Sequence, residues 1–212
     1  MFIVFEHIDG AGASSLSLDF MNTLNEKFKD EQGDLIIDPL WGDFEWHKEP
    51  LFTTDEANFL NSPACKDPVK REVLFYKSRL KHQELIKTKN IVCDRYIWSG
   101  IAYASIYSPT TFEFAKGLYL DEDLFMAPDL YVFVDTPVEE CYKRVLIRGE
   151  DESMDYLIKK RRAYFDTMKY ILSPIIVADS SGRTEEDKIN AVSNLYEKFK
   201  KFVERQSDHI KV

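Results

Sequence analysis

The residues His7-Ile8-Asp9-Gly10-Ala11-Gly12-Ala13-Ser14-Ser15 carry the spacing of a phosphate-binding loop. The pattern for such a loop is G-x-x-x-x-G-K-[ST]. Gly12 and Ser14 fall in register with its second glycine and its hydroxyl, while His7 stands at the first glycine and Ala13 at the lysine. Backbone N–H groups of the loop and of the helix that follows would still converge on an anion, with the helix dipole favouring negative charge there. Gly10 and Gly12 supply the backbone freedom a nest needs. Gly10, Ala11, Gly12, Ala13, Ser14 and Ser15 are therefore the candidate cradle for nucleotide phosphates, and Ser14 is a candidate Mg²⁺ ligand. Without the lysine, the cation that follows charge on the β- and γ-phosphates is missing, and one such preorganised group is worth on the order of 10²–10³ in rate. A Gly-x-Gly after a strand also marks a plain strand-to-helix turn.

Three further groupings have chemical potential. Asp94-Arg95-Tyr96 closes an apolar run, and ligands of open α/β sheets bind outside the C-terminal ends of strands. Asp94 could orient a metal-bound water and Arg95 could clamp a phosphate with its planar fork; the same residues would also make a surface ion pair. Phe75 and Arg79 are spaced i, i+4 on one helical face, an aromatic plate beside a guanidinium that suits a nucleobase. The alternative is Phe75 in the core with Arg79 paired to Glu72 or Glu84. Arg144 and Arg148, after Asp135-Thr136-Pro137, could close over phosphates and exclude water, or line a solvated basic helix face, as Lys159, Lys160, Arg161 and Arg162 could.

Positioning these groups calls for alternating strands and helices. Phe2–Phe5, Asn90–Asp94, Leu130–Val134 and Ile175–Val177 read as buried strands, and Leu35–Ile37 as a weaker one. Helices are predicted from Ser14 onward and over Thr54–Asn61, Asp67–Lys87, Ile97–Ser105, Thr111–Leu118, Val138–Ile147, Met154–Ile171 and Thr184–Arg205. The alternation predicts an α/β fold with a parallel β-sheet flanked by helices on both faces.

The chain has 212 residues, 44% of them hydrophobic, which suits one domain with an ample core. A net charge of −9 argues against a nucleic acid polymer as partner. Three cysteines give no disulfide framework. The opening Met1-Phe2-Ile3-Val4-Phe5-Glu6 lacks the basic and apolar regions of a signal peptide, and no stretch is long enough to span a membrane, so a reduced, soluble, cytoplasmic protein is expected.

The order of these pieces resembles the thymidylate kinase family, a P-loop NTPase architecture of the nucleoside-monophosphate kinase type. Phe5-Glu6-His7-Ile8-Asp9-Gly10-Ala11-Gly12-Ala13-Ser14-Ser15 resembles the family's F-E-G-x-D-G-x-G-K-[ST]-[ST], and Lys48-Glu49-Pro50 its R-E-P. Phe75 and Arg79 match F-x-x-x-R, Asp94-Arg95-Tyr96 matches D-R-Y, and Ser99 through Tyr103 is similar to S-x-x-A-Y. Pro128-Asp129-Leu130 through Asp135 and Pro137 resembles P-D-L-x-x-x-L-D-x-P. The resemblance implies transfer of the ATP γ-phosphate to dTMP to give dTDP, with Mg²⁺, in a homodimer. It implies that Phe75 stacks on thymine, that Lys48, Arg79, Arg95, Ser99, Gly100 and Tyr103 bind dTMP, and that Ser14 and Asp94 serve the metal. Asp9, Arg95 and Arg148 would be catalytic, a small lid would span residues 144–155, and Ser180–Arg183 would lie near adenine. The departures, Ala13 and His7, both fall in the donor site. They leave two expectations: an enzyme in which Arg148, Arg144 or His7 supplies the missing cation, or an impaired nucleotide-binding protein with a sensing or partner-binding role. The acceptor could also be another pyrimidine deoxynucleotide.

Overall fold

The computed structural model describes residues 1–27, 43–120 and 124–210. Five parallel strands form one sheet in the order β2-β3-β1-β4-β5, with β1 Phe2–His7, β2 Phe44–Lys48, β3 Asn90–Asp94, β4 Leu130–Val134 and β5 Ile175–Ala178. The inner strands β1 and β4 are buried along their whole length and β3 nearly so, which is why each reads as a run of apolar residues without alternation.

Helices α1 (Ala13–Lys27), α2 (Thr54–Leu60), α3 (Pro68–Ile86), α4 (Ile97–Tyr107), α5 (Pro109–Tyr119), α6 (Val138–Ile147), α7 (Met154–Thr167) and α8 (Glu185–Ile210) connect and cover the strands. Alternation along β1 sends side chains to both faces. Phe5 meets Phe20 of α1, which meets Phe199 of α8 edge-on at 5.6 Å. On the opposite face Trp98 of α4 and Tyr164 of α7 pack edge-on at 5.4 Å beneath Phe133. These rings belong to one continuous apolar core.

The elements follow the sequence reading with three differences. β2 (FEWHK) was not expected; among the described residues it is an edge strand paired with β3, with Glu45, His47 and Lys48 polar among Phe44 and Trp46. The helix expected over Met154–Ile171 ends at Thr167 and continues as a tighter turn over Met168–Tyr170. The last helix runs to Ile210 rather than Arg205. Leu35–Ile37 lies outside the described residues. Among the described residues no helix is long and apolar enough to cross a membrane.

Candidate active site

Gly10 and Gly12 adopt φ of +81° and +83°, so the chain turns out of β1 and enters α1 at Ala13 within five residues. Gly10 is doubly constrained, because a Cβ there would collide with the Cys141 backbone carbonyl. Ser14 Oγ donates to Asp94 Oδ2 at 2.5 Å, tying the start of α1 to the end of β3. His7, at the first-glycine position, is buried and directs Nε2 at Asp94 Oδ1, 2.6 Å away, with Nδ1 2.9 Å from the Ile8 carbonyl. Burial alone would raise the Asp94 pKa, but the hydrogen bonds and charge around it, from His7 first, outweigh this and hold the carboxyl well below the usual carboxylate range. The register of β2 against β3 pairs Lys48 with Asp94, and Lys48 Nζ donates to Ser14 Oγ at 3.1 Å and lies 3.4 Å from Asp94 Oδ2. The Ser14 hydroxyl is a hard oxygen donor that suits a Mg²⁺ ion carried on nucleotide phosphates, while Asp94, buried with both oxygens engaged by His7 and Ser14, orients that hydroxyl from below.

The turn after β3 brings a second set together. Arg95 adopts φ +72°, a conformation uncommon outside glycine, with its backbone N–H bonded to Phe5 O at 2.8 Å. Its guanidinium donates to Asp9 at 2.8 Å and to the Tyr103 hydroxyl at 2.5 Å. Lys160 Nζ reaches the other Asp9 oxygen at 2.6 Å and also pairs with Glu152. Burial would raise the Asp9 pKa, yet Arg95 and Lys160 outweigh it and hold the carboxyl far below its ordinary value. The solvated basic face offered as one reading of Lys160 is therefore corrected: its side chain is 6% exposed. Its spacing with Tyr156 and Tyr164 (i, i+4) was the available signal.

Phe75 is half-buried beside the cavity, with Phe52 5.3 Å away and the Arg79 guanidinium 5.7 Å from its ring centre. Arg79 itself is buried. Its Nε donates to Glu49 at 2.9 Å and Nη1 to the Tyr119 hydroxyl, with Glu72 at 3.5 Å. The plate-and-guanidinium reading and the Glu72 ion-pair reading thus describe one arrangement. Glu49, His82 and Cys93 also cluster tightly, but Arg79 and His82 already donate to both Glu49 oxygens. Ser99 turns its hydroxyl onto buried Glu6, whose carboxyl burial pushes up to about 7 against the opposing pull of Ser99 and Arg95. A Cβ at Gly100 would strike Tyr119, Arg79 and Glu72.

The predicted loop, acceptor and catalytic residues, Asp94 excepted, line one cavity of about 560 Å³, from the loop past Lys48, Phe75, Arg79, Arg95 and Tyr103 to Arg148. Asp94 lies beneath it, fully buried. A second cavity of about 430 Å³ opens on the other flank of the loop, sharing Gly12 and Ser15 and lined by Arg144, Ser180, Gly182 and Arg183. Arg144 holds that flank in place, donating to the carbonyls of Ser180 at 2.8 Å and Gly182 at 3.0 Å. Arg148 is exposed and paired with Glu150 at 2.9 Å.

A sequence model of the thymidylate kinase family matches residues 62–191, a stretch that holds α3, the Asp94-Arg95-Tyr96 turn and β4 and begins after the phosphate loop. A probable thymidylate kinase from Methanocaldococcus jannaschii is 28% identical over 199 residues, covering 91% of this chain and 93% of the relative. One from Thermococcus onnurineus is 30% identical over 178 residues, covering 76% and 80%. The crystal structure of thymidylate kinase from Ehrlichia chaffeensis superposes with a TM-score of 0.60 at 21% identity, covering 94% of this chain and 98% of that one. Sequence and fold agree, and this chain belongs to the thymidylate kinase family.

Proposed function

We propose that the protein transfers the γ-phosphoryl group of ATP to dTMP, giving ADP and dTDP. The observation that carries this reading is the position of the phosphate loop between two cavities that meet at Gly12 and Ser15. A donor laid along the loop has its nucleoside end against Arg144, Ser180 and Gly182 and its terminal phosphate facing the cavity of Phe75 and Arg95. In that cavity Phe75 stacks on the base, and the Arg95 fork, next to Asp9, takes the acceptor phosphate. One acceptor phosphate oxygen forms a bond to the γ-phosphorus as the bond to the β,γ-bridging oxygen breaks, and the electron pair stays on ADP. The protein's part is alignment and charge placement. Bound through Ser14, with Asp94 orienting that hydroxyl, Mg²⁺ would neutralise charge on the transferring phosphates.

The test is ADP release with ATP, Mg²⁺ and dTMP, with dUMP and dCMP as competitors. Turnover with dTMP preferred over the other two is expected. No release above background, with both nucleotides still binding by calorimetry, would replace this reading with that of a nucleotide-binding protein, which the buried Ala13 side chain favours.

A further inference from the structure

The loop has no lysine, yet an ammonium group stands at its hydroxyl. Lys48 Nζ, at the end of β2, lies 3.1 Å from Ser14 Oγ and 3.4 Å from Asp94 Oδ2. Ser14 is the residue next to Ala13, so this nitrogen sits one residue from where the usual lysine would begin. Its side chain is 54% exposed and lines the same cavity as Gly10–Ser15. Ser14 and Asp94 engage two of the ammonium's three donors; a Mg²⁺ ion at the Ser14 hydroxyl would displace the ammonium from that oxygen, and its flexible stem reaches the phosphate oxygens over the loop.

The other cations of this cavity are committed elsewhere: Arg71 donates to the Leu60 carbonyl at 3.2 Å. Arg95 and Lys160 converge on Asp9. Arg79 is buried between Glu49 and Glu72. Arg148 faces Glu150. Arg144 lies on the far flank, where its guanidinium is taken up by the carbonyls of Ser180 and Gly182 and by Glu140. The resemblance assigned Lys48 to the acceptor nucleotide; its position at the loop hydroxyl points to the donor.

We infer that Lys48 replaces the missing loop lysine, reaching from the neighbouring strand to the β- and γ-phosphates of the donor nucleotide. The role rests on the phosphotransfer reading above. A flexible four-carbon stem anchored on β2 lets the ammonium follow charge as the bond to the bridging oxygen breaks, which a loop lysine does from the other side.

The experiment compares the wild-type chain with Lys48→Met, Lys48→Arg and the double variant Lys48→Met/Ala13→Lys. The expected result is a fall in kcat of about 10²-fold or more in Lys48→Met, with KM for dTMP changed by less than about threefold. At least about tenfold of that loss returns in Lys48→Arg or in the double variant. A Lys48→Met kcat within about threefold of wild type, a loss confined to KM for dTMP, or recovery in neither variant overturns the inference. If the wild-type chain shows no turnover, the phosphotransfer reading fails, and the inference is then decided by calorimetric affinity for ATP without Mg²⁺. A weakening of about tenfold in Lys48→Met with dTMP affinity unchanged upholds it, and equal ATP affinities overturn it.

Discussion

Replacing Glu6 with Gln should change how stability depends on pH. Glu6 is fully buried on β1 and its carboxyl accepts from the backbone N–H groups of Tyr96 and Ser99 and from the hydroxyls of Ser99 and Tyr164. Burial raises its pKa from an ordinary 4.5 to about 7. Between those values the folded chain holds a proton that the unfolded chain has released. Wild-type stability contributed by this group is therefore complete below pH 4.5 and is lost as the pH rises through 7. At 1.36 kcal/mol per pKa unit, the loss between pH 5 and pH 8 is about 2–3 kcal/mol. Glutamine keeps an oxygen for the two N–H groups and offers an amide to the two hydroxyls, and it does not titrate. Urea unfolding of both proteins at several pH values isolates the effect, since the shifts of Asp9 and Asp94 cancel in the difference. Glu6→Gln should gain about 2–3 kcal/mol on wild type from pH 5 to pH 8. A difference that stays constant over that range would mean that Glu6 is ionised throughout, and would refute the reasoning.

Phe75→Ala should raise KM for dTMP about tenfold or more, the worth of one base–aromatic stack, with KM for ATP unchanged in steady-state kinetics. Arg79→Met leaves Glu49 buried without its guanidinium partner and should cost about 3–5 kcal/mol in chemical denaturation. Arg144→Met removes the donors that hold Ser180 and Gly182 in place and should weaken ATP binding, read by calorimetry, without weakening dTMP binding.

The inner strands were legible because burial on both faces leaves only apolar residues in them, as in Phe2–Phe5 and Leu130–Val134. β2 was not, because a strand with one exposed face carries polar residues, and Phe44-Glu45-Trp46-His47-Lys48 has three of them in five. Val138–Ile147 was read to its limits, since Pro137 opens it and Gly149, at φ +74°, follows its end. The site was legible where one segment carries it, as in the loop or in Asp94-Arg95-Tyr96. Lys48 was read as an acceptor-nucleotide residue; its contacts with Ser14 and Asp94 were not legible, because they are set by strand register, which brings residue 48 beside residues 14 and 94. Lys160 escaped for the same reason: Asp9 is 151 residues away in sequence.

The clamp of Arg95 and Lys160 on Asp9 also governs what the acceptor cavity admits. Two cations there face two carboxylates, Asp9 and Glu152, so the seat for an anion is already neutral before any ligand arrives. A free phosphate or sulfate ion gains little by entering, because it must compete with a carboxylate that is tethered in place. On the proposed function, a nucleotide with its base on Phe75 would bring its phosphate to Arg95 at high local concentration and would win that competition. On that same reading, the cavity would admit whole nucleotides and turn away bare anions.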